Sequence, residues 1–68
     1  MTLEAAIKKD LAAGQATLQN LAKNIGASNT ATSATLRRME KQGKVWTMEN
    51  KDGNTVYKLT YEYKQQEL

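Results

Sequence analysis

Leu21-Ala22-Lys23-Asn24-Ile25-Gly26-Ala27-Ser28 is the stretch whose reading decides how this chain folds. Together with Leu18, its Leu21, Ala22 and Ile25 fall at i, i+3, i+4 and i+7, which is one apolar face of a helix of about two turns. Gly26 breaks that helix, because a residue without Cβ adopts a backbone conformation that a side chain penalises. Two residues later Ser28 offers a hydroxyl to cap a new helix. Short helices joined by a turn of three or four residues meet at a steep angle. The small side chain of Ala22 lets the following helix approach closely.

Working outward toward the N-terminus, Thr17 is the cap expected for this helix. Before it, Thr2 caps a first helix whose stripe is Leu3, Ala6, Ile7 and Leu11, with Lys8, Lys9 and Asp10 off the stripe. Gly14 is expected to close it as a left-handed C′ residue. Gln15-Ala16 is then a connector with room for a one-bridge strand. In the other direction a third helix runs from Ser28 to about Gln42. Its apolar residues are Ala31, Ala34, Leu36 and Met39, with the small Thr32 and Thr35 between them. Arg37, Arg38, Lys41 and Lys44 gather toward its end, where cations also suit the helix macrodipole. Gly43 is a second C′ residue.

Beyond Gly43 the period changes. Val45-Trp46-Thr47-Met48-Glu49 and Thr55-Val56-Tyr57-Lys58-Leu59-Thr60 alternate and are rich in β-branched and aromatic residues. The Asp52-Gly53 dipeptide between them is a hairpin signal. Two registers are open. A two-residue turn at Asp52-Gly53 pairs Met48 with Tyr57 and Trp46 with Leu59, and so buries Trp46. A five-residue loop puts Val45, Thr47, Tyr57 and Leu59 on the core face and leaves Trp46 outside with Met48 and Val56. A slip of one residue exchanges the faces. The first register is favoured because it buries more aromatic area and separates apolar from polar residues more cleanly.

Composition narrows the function classes. The chain has 68 residues, enough for one domain with a modest core. It has no Cys and no His, which removes disulfides and leaves a zinc site only carboxylates. The apolar runs are too short to span a bilayer, and Met1-Thr2-Leu3-Glu4 does not begin a signal peptide, so a cytoplasmic protein is expected. There is no Gly-rich phosphate loop and no paired-carboxylate cleft, so no enzyme, cofactor, metal or small-molecule substrate is expected. The formal net charge is +3 and the isoelectric point near 9.3, which permits nucleic-acid binding. The domain is expected to occupy residues 1–60, with a loosely ordered polar tail over 61–68.

Over residues 3–60 the sequence resembles the winged helix-turn-helix domain of bacterial regulators, an α+β fold of three helices and a C-terminal β-hairpin wing. The resemblance is carried by Ile25-Gly26-Ala27-Ser28 at the turn, then Leu36, Met39, Gly43 and Val45, and by Tyr57-Lys58-Leu59 on the return strand of the wing. In size it is most similar to the short fimbrial-switch regulators related to PapI and FaeA. Thr32 departs from the pattern, which has Val or Ala four residues before Leu36.

The resemblance implies a transcriptional regulator that places the third helix in the major groove of double-stranded DNA. Thr32, Thr35, Leu36 and Met39 would then face the core, and Asn29, Thr30, Ser33, Ala34, Arg37 and Lys41 the groove. Asn and Arg pair with adenine and guanine edges, and Thr and Ser with either base or phosphate. Arg38 would reach bases or backbone, Lys51 and Lys58 would contact phosphate or the minor groove from the wing, and Thr17 and Gln19 would open a helix N-terminus toward a phosphate. A lone domain this small binds DNA weakly, which points to a homodimer or a protein partner. Two alternatives share the fold. One is a protein-interaction winged helix acting as an inhibitor or assembly factor, and the other an excisionase-like architectural DNA binder. The Thr, Ser, Arg and Lys content of the third helix favours DNA.

Overall fold

The computed structural model describes residues 2–60, and the tail expected over 61–68 lies outside the described residues. Among the described residues there are three helices, α1 (Leu3–Ala12), α2 (Leu18–Ile25) and α3 (Asn29–Lys41), and three strands, β1 (Ala16–Thr17), β2 (Val45–Glu49) and β3 (Thr55–Leu59). The strands form one antiparallel sheet in the order β1-β3-β2. The architecture is the expected α+β one.

Each helix begins on a hydroxyl. The side chains of Thr2, Thr17 and Ser28 accept from the backbone N–H of Ala5, Asn20 and Ala31 at 3.1, 3.3 and 3.1 Å, satisfying amides that have no partner within the helix. The turn between α2 and α3 works as the sequence indicates. Gly26 is left-handed at φ 71 and ψ 32. Its N–H donates to Lys23 O, and that of Ala27 to Ala22 O, the paired bonds of a Schellman ending. α3 ends at Lys41 with Gln42 as its cap, and the Lys44 N–H donates back to Met39 O. Gly14 differs from expectation. Ala13 caps α1 in the right-handed region, and Gly14 takes φ 152, far from a left-handed helical value. The connector does pair: Ala16 lies opposite Tyr57 and Thr17 opposite Val56.

The core draws on every layer. Ile7 and Leu11 from α1, Leu21 from α2, Leu36 and Met39 from α3, and Val45 and Leu59 from the sheet form one buried cluster. Leu3, Ala16, Leu18, Ile25 and Tyr57 pack against it. Ala22 is buried in α2, as the close approach of α3 requires. On α3 the buried residues are Thr32, Thr35, Leu36 and Met39, while Ala31 and Ala34 are exposed.

The favoured hairpin register is overturned. Val45 pairs with Leu59, Trp46 with Lys58, Thr47 with Tyr57, Met48 with Val56 and Glu49 with Thr55. Trp46 is 54% exposed instead of buried, and Met48 is exposed beside it. The turn explains the difference. Asn50 N–H donates to Asn54 O at 2.9 Å, and Gly53 N–H donates to Asn50 O at 3.0 Å. The Asn50 side-chain oxygen accepts from both Asp52 N–H and Asn54 N–H. With Gly53 at φ 80, this is a turn closed by a left-handed glycine bulge, a three-residue connection between Asn50 and Asn54. The bulge adds a residue to the connection and turns Trp46 outward.

Candidate nucleic-acid interface

α3 presents two dissimilar faces because its core residues recur at helical spacing. With Thr32, Thr35, Leu36 and Met39 turned inward, Asn29, Thr30, Ser33, Ala34 and Arg37 are left to line one shallow, open depression. All of these are exposed except the half-buried Ser33. The near half of this face is small and uncharged, so a ligand can approach the backbone closely there. Arg37 stands at its far end, and Arg38 and Lys41 are exposed on the same helix without lining the depression. Arg carries five donors in a planar fork and suits base edges or phosphates.

The other expected residues fall elsewhere. Half-buried Thr17 and exposed Gln19 line a groove with Leu18, Asn20, Asn54, Thr55 and Tyr57. This groove joins the start of α2 to the return strand of the wing because β1 pairs with β3. Asn20, Asn54 and Thr55 were not among the residues singled out from sequence. The signal that would have found them is the bridge at Ala16-Thr17, whose partner strand no local pattern specifies. Lys51 is exposed in the hairpin turn. Lys58 is exposed opposite Trp46, three pairs back from Glu49–Thr55, and lines a separate hollow with Leu11 to Gln15. Lys44 does not belong to the basic cluster. Its Nζ lies 2.9 Å from Glu4 Oε2, and both side chains are half-buried, so the pair ties the end of α3 to α1.

Three helices, a tight turn between the second and third, and a sheet ending in a β-hairpin define a winged helix-turn-helix domain. Solved structures share it. The chain superposes on the adhesin competence repressor AdcR of Streptococcus pyogenes with a TM-score of 0.89 at 21% identity, covering 96% of this chain and 50% of AdcR. A variant of ZitR from Lactococcus lactis gives 0.90 at 18% identity, with 97% and 47% covered. The homodimeric winged helix-turn-helix DNA-binding domain of Mb0332 from Mycobacterium bovis gives 0.87 at 20% identity, with 94% and 59% covered. At these identities the likeness is one of fold, and the chain spans about half the length of AdcR and ZitR. No protein-family model matches the sequence, and no curated protein matches it. Among the described residues no helix is long and apolar enough to cross a membrane.

Proposed function

We propose that this chain is a double-stranded DNA-binding transcription regulator of the cytoplasm, without catalytic activity, whose residues 1–60 form the binding domain. The observation that carries the reading is the exposed face of α3. It gathers Asn29, Thr30, Ser33, Ala34 and Arg37 in one depression while the opposite side of the same helix is core. Such a face fits a major groove, with its small N-terminal half against base edges and Arg37, Arg38 and Lys41 against bases or backbone. Thr17 and Gln19 serve a phosphate at the start of α2, and Lys51 contacts backbone or minor groove from the turn of the wing. Lys58, set back on the sheet, contributes its charge at longer range. The likeness to regulators such as AdcR and to a homodimeric DNA-binding domain supports this reading and the pairing of two copies on a site. The finer resemblance to the short PapI and FaeA regulators belongs to the same proposal and rests on the small size of the domain.

Fluorescence anisotropy on a labelled duplex tests it. Affinity should fall steeply as salt rises, because each neutralised phosphate releases counterions. No binding to any duplex at low salt would refute the reading.

A further inference from the structure

The wing has two faces, and the core uses one. Cross-strand partners share a face, so Val45, Leu59, Thr47, Tyr57 and Ala16 lie on the inner side and Trp46, Met48, Val56, Lys58 and Thr17 on the outer. Val56 is buried yet stands outside the core cluster. Its ladder neighbours on the outer face are Met48 and Thr17, with Trp46 on the diagonal. Trp46 and Met48 are the large apolar side chains left exposed among the described residues, at 54% and 41%. Lys58 stands directly across from Trp46 and leads into the hollow at the end of α1, where Ala12 and Ala13 are exposed.

Among the described residues the net charge on this face is positive. Lys44, two residues before Trp46, is matched by Glu4, whereas among the described residues Lys58 has no carboxylate beside it on the outer ladder, since Glu49 pairs with Thr55 on the inner side. A two-fold contact between copies through this face would bring like charges together. A nucleic acid would meet two large apolar residues for a single cation. A tryptophan and a methionine flanked by a cation suit a protein segment that is apolar and acidic. We propose that the outer face of the wing docks such a segment of another protein, its apolar side chains covering Trp46 and Met48 and its carboxylate meeting Lys58.

Selection from a random displayed-peptide library on the intact protein tests this, with counter-selection on Trp46→Ser. Enriched peptides should join apolar residues to Asp or Glu and shift Trp46 emission to the blue. Their affinity should fall about tenfold or more on Trp46→Ser or Met48→Ser, as loss of an anchor does. Selection on Lys58→Glu should lose the acidic preference. Peptides that bind Trp46→Ser equally well, or no enrichment at all, would overturn the proposal. So would a concentration-dependent dimer that Trp46→Ser abolishes, which would assign the face to a second copy. Loss of duplex affinity in Trp46→Ser would overturn it as well, by making Trp46 a nucleic-acid contact. Retained duplex affinity keeps this proposal separate from the DNA-binding one.

Discussion

At the scale of single residues, the one anomaly in the core is Thr32. Its side chain is fully buried and its hydroxyl has no hydrogen-bond partner. Thr35 differs, because its hydroxyl donates to Ala31 O at 3.0 Å. An unsatisfied buried hydroxyl costs roughly 1–3 kcal/mol. Thr32→Val keeps the shape and removes that cost, so it should stabilise the protein by about 1 kcal/mol and raise the melting temperature by about 4–8 °C. A lower melting temperature by circular dichroism would show that the hydroxyl finds a partner. Arg37 carries the reverse expectation. It is exposed and turned away from Leu36 and Met39, so Arg37→Ala should weaken duplex binding by about 1–3 kcal/mol and leave the melting temperature unchanged. Lost stability with retained affinity would mean that α3 meets its ligand with another face.

Among the elements, the wing is the one whose geometry hangs on a few backbone bonds. Gly53 at φ 80 and the doubly accepting Asn50 side chain hold the turn. A β-branched residue at that φ is strained, so Gly53→Val should destabilise the hairpin by roughly 1–2 kcal/mol. Amide exchange would report it as faster exchange in β2 and β3 with α1 little changed. The register also sets what Trp46 contributes. Trp46→Ala should cost about 1 kcal/mol, against the roughly 3–5 kcal/mol of a fully buried tryptophan. The emission of native Trp46 should be red-shifted and quenched by iodide. A blue-shifted, protected signal in the isolated protein would restore the two-residue turn.

At the scale of the whole molecule, three helices and a sheet share one small core, and among the described residues no element has a second one to fall back on. Leu36 is fully buried within that core. Leu36→Ala should cost about 2–5 kcal/mol, comparable with the roughly 3–5 kcal/mol that a core of this size supplies. The variant should therefore be largely unfolded at room temperature, with thermal melting either absent or shifted far down. A cooperative transition near that of the native protein would show that the domain has stability from a source besides this cluster, such as association of two copies.

The order of elements, the three hydroxyl caps, the tight turn at Gly26 and the buried stripe of α3 were all legible in the residues themselves. Each is decided within about one or two helical turns by hydrogen bonds and by the 3.6-residue period. The exposed face of α3 followed from the same period, since the core side names the opposite side. The wing register was not legible. Two pairings differing by one residue both placed apolar side chains inward, and the choice fell to the Asn50 and Gly53 turn geometry together with the fit of Val45 and Leu59 into the core. Tertiary structure alone decided that β1 meets β3 and so joins Thr17 and Gln19 to Asn54 and Thr55 in one groove. It alone drew Lys44 out of the basic cluster into a bond with Glu4. These are contacts between residues about 40 positions apart. They depend on how whole elements pack, and no local spacing encodes them.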